Sequence, residues 1–402
     1  MPTLQIVEAA SGLCELLWLV DESVPGNAVT SRLLRKVGTV VNLAGQSLEE
    51  TVSVLREHAP DGVVAYRDAD ILLVSLIAAE LGLEYHTPEV ARRLLDKLTQ
   101  RETLRSGGLP SPLWWEVPAD GDPAAVEALA TAVEFPAVLK PRRSSGGRYT
   151  TPVADDGDLV RQIAILPPEA GGETGMFVEQ YLPSLATRPS ERFGDYVSVE
   201  SLVAAGQISH VAVTGRFPLA EPFRETGLFI PAELSHAQLL TVLEVATAAL
   251  RALGVRTGCL HTEIKLTPDG PRVLEVNGRL GGGVPEMLFQ ASGVSLVQLS
   301  MRVALGEPVV VDGPVPCARV GWCLLFQPPT CARRVVSVEG LDRLAGRSGV
   351  NEVFVNRAPG DPVDWRAGTR EYVYSVFGVS EDYDGLLEIN RFLHEEVSIV
   401  YD

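Results

Sequence analysis

Two apolar, alternating segments, GCLHTEIKL (258–266) and RVLEVN (272–277), flank Thr-Pro-Asp-Gly, and no other stretch restricts this chain so tightly. Proline presets one turn dihedral and glycine accepts a left-handed one, so the three pieces predict a β-hairpin. Side chains alternate across a strand, which puts His261, Glu263 and Lys265 on one face of the first strand and Glu275 and Asn277 on one face of the second. Two carboxylates on adjacent strands repel unless a positive charge sits between them, and Asn277 adds a neutral oxygen. Such a hard-oxygen set suits Mg²⁺ when substrate phosphates complete its shell. Arg279 and the triplet Gly281, Gly282 and Gly283 follow at once, adding a cationic clamp and a backbone that can approach a ligand closely.

A chain of 402 residues fits two or three domains, and an apolar fraction of 46% is enough for sizeable cores. The net charge of −18, with no concentrated basic stretch, argues against nucleic acid as a partner. A polyphosphate ligand therefore needs local lysines, arginines and a metal ion. The cysteines, Cys14, Cys259, Cys317, Cys323 and Cys331, are odd in number and not closely paired, so neither a disulfide scaffold nor a zinc knuckle is indicated and a reducing cytoplasm is expected. No signal peptide is read at the start, and the apolar run around Ile71–Leu83, broken by Glu80, is too short to span a membrane.

Along the chain, Leu4–Cys14 has helical spacing before a first strand at Glu15–Asp21, whereas a doubly wound unit normally opens on a strand. Either that strand is supplied differently or the start lies upstream of Met1. Alternating strands and helices then predict an α/β unit, with helices near Val29–Val37, Ser47–His58 and Ile71–Leu81 and strands near Thr39–Leu43 and Gly62–Ala65. No G-x-G-x-x-G loop follows the first strand, so a nicotinamide site loses its main support. A basic helix is predicted over Val90–Gly107, with Lys97 in its middle. The strand Phe135–Pro141 ends in Lys140 and runs into the glycine-rich RRSSGGR, whose free N–H groups suit phosphate oxygens although the spacing is not that of a P-loop. Met176–Leu182 delivers Glu179, which with the main chain near Tyr181 and Leu182 suits a nucleotide base. The segment between Leu182 and Gly194 is read as an excursion over the site. Asp195–Ala204 and Ile208–Thr214 form a hairpin, Phe217–Pro231 a lid, Leu234–Leu253 a long helix, and the segment from about Asp312 a β-rich unit closed by a helix from Tyr383.

In this order the segments LLDKLTQRETLRSGGLPSP, FPAVLKPRRSSGG, FVEQYL, YVSVESLV and HTEIKLTPDGPRVLEVNGRLGGG resemble the ATP-grasp superfamily, and within it the carboxylate–amine ligases that include the L-amino-acid (dipeptide) ligases. The resemblance covers about Ser75–Ala304 closely. It implies an α/β and α+β ATP-grasp architecture with an N-terminal doubly wound α/β domain at 1–88, a two-lobed nucleotide-binding region at 89–308 with 135–215 as its small lobe, and a small β-rich C-terminal domain at 309–402.

The resemblance also implies roles, residue by residue. Lys97 and Lys140 correspond to the nucleotide-phosphate lysines, and Ser144, Ser145, Gly146 and Gly147, through Arg148, to the mobile cover. Glu179, Tyr181 and Leu182 fall at the adenine contact, and Glu263, Glu275 and Asn277 at the Mg²⁺ positions. Arg279 matches the arginine that steadies the acyl phosphate. Catalytic roles are thus expected of Arg279, Lys140 and His261, with His261, Glu200 and Glu225 as candidate bases. The lid FRETGLFIP resembles F-x-E-x-G-H-x-x-P but carries Leu228 where histidine is frequent, which leaves the substrate pair open. The implied cofactors are ATP and Mg²⁺, with Mn²⁺ as a substitute, and the implied partners are a carboxylate and an amine, with amino acids as the class, in a homodimer. The expected activity is ADP-forming amide synthesis in dipeptide or specialised-metabolite formation. The alternatives are a bicarbonate-activating, carboxylase-like enzyme and a nucleotide-binding protein without ligase chemistry.

Overall fold

The structure is a computed structural model that describes residues 2–119, 121–167, 169–185, 192–344 and 346–402. The N-terminal part runs α1 (Thr3–Ala10), β1 (Leu17–Val20), α2 (Asn27–Leu34), β2 (Thr39–Asn42), α3 (Leu48–His58) and α4 (Asp68–Leu81). α3 starts where the sequence says it should, because Ser47 and Glu50 form a reciprocal capping box. β1 and β2 pair in parallel, Leu17 opposite Thr39. The strand expected at Gly62–Ala65 does not form, so among the described residues the sheet of this unit has two strands.

The basic helix expected over 90–107 is two helices, α5 (Pro88–Leu95) and α6 (Lys97–Ser106). The break falls at Asp96, whose backbone is extended and whose side chain accepts from the N–H groups of Leu98 and Thr99. An aspartate that satisfies two orphan donors makes a stable new helix start. Lys97 therefore begins a helix instead of sitting inside one.

Next come β3 (Trp114–Glu116), α7 (Pro123–Ala132), β4 (Ala137–Pro141), β5 (Thr151–Val153), α8 (Asp156–Ala164) and β6 (Met176–Gln180). Their four strands form one antiparallel sheet in the order β3-β6-β4-β5, sealed by a core around Leu139, Leu159 and Val178. By sheet membership the small lobe is this unit, from Trp114 to Gln180. β7 (Tyr196–Ala204) and β8 (Gln207–Arg216), which the sequence reading grouped with it, pair elsewhere.

The remaining elements are β9 (Gly227–Ile230), α9 (His236–Leu253), β10 (Gly258–Lys265), β11 (Arg272–Asn277), α10 (Val284–Ser292), α11 (Leu296–Ala304), β12 (Val320–Leu325), β13 (Val335–Glu339), β14 (Val350–Val355), β15 (Tyr374–Ser380), α12 (Tyr383–Glu396) and β16 (Ser398–Tyr401). Eight strands join in the order β11-β10-β7-β8-β9-β12-β15-β14, so the C-terminal segment continues the central sheet. β13 and β16 form a small sheet of their own. One face of the large sheet packs under α9 through Val197, Val199, Val213 and Ile264. Each such side chain stabilises the fold by about 1.5–3 kcal/mol on full burial. The opposite face carries the polar residues of the same strands, and this fixes where a site can be. Among the described residues no helix is long and apolar enough to cross a membrane.

Candidate active site

The hairpin predicted from Thr-Pro-Asp-Gly is β10 and β11, and its register sets the first cluster. Glu263 lies opposite Glu275, and His261 lies opposite Asn277 on one side and Glu200 of β7 on the other. Glu200 has no exposure to solvent, so its charge requires partners. It accepts from His261 Nδ1 at 2.8 Å and from the Ser198 hydroxyl at 3.0 Å. His261 Nε2 lies 3.4 Å from Glu263 Oε1.

Burial disfavours charge on His261, but Glu200, by charge and hydrogen bond, and then Glu263 outweigh it and push the imidazole up to about 9. Burial likewise works against the Glu263 carboxylate, yet His261 and then Arg216 and Arg279 hold it down to about 2. His261 is thus an imidazolium wedged between two carboxylates. The proton-accepting role expected of it has no free nitrogen, and its part is to fix Glu263. Glu200, also read as a candidate base, is held below the usual carboxylate range by His261 against the effect of burial.

The second cluster joins the two sheets. Lys97 Nζ, 7% exposed, donates to Glu275 Oε1 at 2.8 Å and to the Ser144 carbonyl at 2.7 Å. Lys140, near the end of β4, lies 3.1 Å from Glu179 Oε2 on β6. Arg101 of α6, wholly buried, forks onto both oxygens of Glu179 at 3.0 and 3.1 Å and reaches the Leu274 carbonyl at 2.6 Å. Burial lowers the affinity of Lys140 for its proton, offset only in part by Glu179. Burial raises Glu179 and Arg101, followed by Lys140, outweighs it. Glu179 was read as an acceptor for a nucleotide base. Its oxygens are committed to Arg101 and Lys140, and beyond β6 the Tyr181 N–H donates to Pro136 O at 3.0 Å. The Tyr181 ring centroid lies 6.4 Å from that of Phe223 and 5.9 Å from the ammonium of Lys265.

Arg279 follows β11 and forks onto Asp68 at the start of α4, both contacts 3.0 Å. The N-terminal part therefore contributes a residue to the site. Sequence reasoning missed Asp68 and Arg101, because each finds its partner across 211 and 78 positions respectively. Gly281 has a plain steric reason: a Cβ there would stand 2.5 Å from His261 Nδ1. In the lid, Glu225 Oε1 accepts from Arg216 Nε at 2.9 Å and from the Tyr196 hydroxyl at 3.0 Å, which ties up that oxygen of the third candidate base. Leu228, on β9, is buried with Ala212, Cys259, Leu280 and Val284, so that position extends the apolar floor. Most of the excursion read between Leu182 and Gly194, residues 186–191, lies outside the described residues.

Among the described residues no group of three or more His, Cys, Asp and Glu is placed to hold a metal by itself. Glu263, Glu275 and the Asn277 amide instead offer two carboxylates and one neutral oxygen on neighbouring strands. Directly opposed like charges destabilise a strand pair. This donor set fits a hard dication that takes its remaining ligands from a phosphate.

A four-stranded lobe faces a large antiparallel sheet, with lysines between them and a two-carboxylate strand pair beneath, and this fold is shared with solved structures. The crystal structure of an L-amino acid ligase from Bacillus licheniformis matches it with a TM-score of 0.77 over 99% of this chain and 95% of that one, at 22% identity. Carnosine synthase 1 of Gallus gallus is 28% identical over 330 residues, 76% of this chain and 34% of that protein. Alanine–anticapsin ligase of Bacillus subtilis is 24% identical over 272 residues, 64% of this chain and 56% of that protein. The chain spans 60% or less of the length of the curated relatives it matches. No family model matches it.

Proposed function

We propose that this protein is an ATP-dependent, ADP-forming carboxylate–amine ligase that joins an amino acid to a second small molecule, making a dipeptide or a specialised metabolite. The observation that carries the reading is the β10/β11 register, in which Glu263, Glu275 and Asn277 share one edge of the sheet with Lys97 and Arg279 beside them. The names of the three relatives reported above, an L-amino acid ligase, a carnosine synthase and an alanine–anticapsin ligase, support the same class.

A carboxylate resists nucleophiles because of its charge, and phosphorylation by ATP turns it into a good acyl donor. Bringing two anions together is the difficulty. Lys97 and Lys140 would take the phosphate oxygens, and each now holds a carboxylate that shares or yields it as substrate arrives. Glu263, Glu275 and Asn277 would hold Mg²⁺, or Mn²⁺ in its place, and the ion would supply charge neutralisation at the transferring phosphoryl group. Ser144, Ser145, Gly146 and Gly147 would cover the phosphates and keep water from the acyl phosphate. Arg279 would stabilise the oxyanion that develops when the amine attacks, with Asp68 holding its guanidinium in plane. The Tyr181 carbonyl and the Leu182 main chain would hold the base. A homodimer and a cytoplasmic location complete the proposal.

The test is release of ADP and phosphate from Mg-ATP across a matrix of acids and amines, with product masses recorded and Glu275→Ala as the blank. Phosphate release that needs one acid and one amine, together with a mass of their sum minus water, is the expected result. AMP and pyrophosphate would sink the acyl-phosphate route. Phosphate release that needs bicarbonate instead of an organic acid would favour a carboxylase, and ATP binding without turnover would favour a nucleotide-binding protein.

A further inference from the structure

The glycine-rich cover leans on a part of the chain to which the chemistry above gives no task. Trp365–Glu371 is two 3-10 turns joined through Gly368, at φ 78° and ψ −151°. That backbone region is essentially confined to glycine. The segment grips the cover at three points. Thr369 N–H donates to the Gly146 carbonyl at 2.7 Å, Tyr149 N–H donates to the Arg366 carbonyl at 2.9 Å, and Arg370 Nη2 donates to the Ser145 hydroxyl at 3.1 Å. A Cβ on Gly368 would lie 2.1 Å from the Gly146 oxygen and 2.7 Å from the Arg148 nitrogen, so only glycine lets the two backbones meet this closely.

The same turn also holds the lid. The Thr369 hydroxyl accepts from Glu225 N–H at 3.1 Å. Gln327 Nε2 bridges the carbonyls of Glu225 and Thr369 at 2.8 and 2.9 Å. A Cβ on Gly147 would stand 3.1 Å from the Phe223 carbonyl, so cover and lid touch directly as well. The turn itself is braced, because buried Glu371 accepts from Arg357 at 2.6 Å and from Asp364 N–H at 3.2 Å. A rigid base thus carries one residue whose main chain binds the cover and whose side chain binds the lid.

We infer that Gly368 and Thr369 are positioning residues, a catch that holds the phosphate cover shut and ties its closure to that of the substrate lid. The inference rests on the ligase reading for what the two flaps enclose, since water must be kept from an acyl phosphate on both sides at once. A cover closed without its lid leaves the intermediate open to hydrolysis.

The test is hydrogen exchange of the full chain, alone and with Mg-ADP, in the parent protein and in Gly368→Ala, Thr369→Val and Thr369→Ser. Gly368→Ala is expected to speed exchange over residues 144–150 by about tenfold, as the shared bonds are lost. Thr369→Val, which keeps the main-chain bond and removes the hydroxyl, is expected to speed exchange by about fivefold over 223–227. Thr369→Ser should restore the parent rate, and unchanged protection of β7 and β10 in every variant separates loss of the catch from misfolding. Parent-like exchange over 144–150 in Gly368→Ala, or over 223–227 in Thr369→Val, overturns the inference. So does a Thr369→Ser protein as open as Thr369→Val. Exchange reads the catch whether or not an amide is made, so failure of the ligase reading stays distinguishable. Where an amide is made, Thr369→Val should release about five times more phosphate per amide at unchanged KM for ATP, with Thr369→Ser restoring the ratio.

Discussion

Two buried histidines pack against the turn that leaves β11, and they are held in opposite charge states. His261 presses on Gly281 between Glu200 and Glu263, and its imidazole is pushed up to about 9. His86 presses on Gly278, donates from Nε2 to that residue's carbonyl at 3.3 Å, and is pushed down to about 4 by burial. Burial is nearly the same for both. What differs is the carboxylates, present around one and absent around the other. Between Gly278 and Gly281 in sequence sits Arg279, a fixed cation with its own carboxylate, Asp68. The turn that carries the candidate oxyanion residue is thus flanked by a charged and a neutral imidazole, and each can be disturbed separately.

The harshest way to break the comparison is Glu200→Ala, which leaves the buried imidazolium short of its main partner. It should cost about 3–5 kcal/mol in urea unfolding, and a loss below 1 kcal/mol would mean that His261 is not held by charge. The pH profile comes next. As pH falls below 6.5 the unfolded chain protonates before His86 does, so stability present above 6.5 is lost down to about pH 4. His261 works the other way, with stability whole below 6.5 and lost as pH rises through about 9. Each limb amounts to about 3 kcal/mol in the protein without added metal or nucleotide. His86→Gln should flatten only the acid limb and Glu200→Gln only the alkaline one; flattening of the same limb by both would break the contrast.

A smaller effect contrasts this turn with the lobe junction. Lys140→Met keeps the Arg101–Glu179 pair and removes one cation proposed to face the phosphates, so kcat for phosphate release should fall about 100-fold with little change in the urea midpoint. The smallest effect belongs to Asp68→Asn, which frees Arg279 from its ion pair while keeping a hydrogen bond. A rise of about fivefold in KM for the carboxylate is expected, against a nearly constant kcat. A fall in kcat alone would place Asp68 in the chemical step instead of in holding the arginine.

The hairpin was legible in the sequence because its signals are local: alternation, a turn of Pro, Asp and Gly, and acids two residues from other polar groups. Lys140 stood out through the neighbouring glycine loop, and Lys97 only through its pairing with Lys140. What each charge does was less legible. Nothing near Glu179 in sequence announces that Arg101 takes both its oxygens, and nothing near His261 says that Glu200 faces it from another strand. Pairing partners are chosen by the fold, across gaps of 61 to 211 positions. The break at Asp96 could have been read, since an aspartate before Lys-Leu-Thr is a good helix cap; amphipathic spacing on both sides concealed it. The missing strand at Gly62–Ala65 is a different case. Its composition suits a strand, but a strand needs a neighbour with which to exchange hydrogen bonds, and β1 pairs only with β2 among the described residues.

The large sheet has a practical consequence for anyone who wishes to cut or recombine this chain. β12 pairs with β9, and β15 and β14 extend the sheet from there, so the C-terminal segment is woven into the central one. A chain truncated near residue 308 would expose the open edge of β9 together with the apolar side chains of Leu228 and Ile230 beside it. Unpaired edges of that kind recruit other chains. Chimeras with related proteins should therefore exchange residues 227–402 as one block, and libraries that shuffle the tail alone are expected to yield aggregates instead of altered specificity.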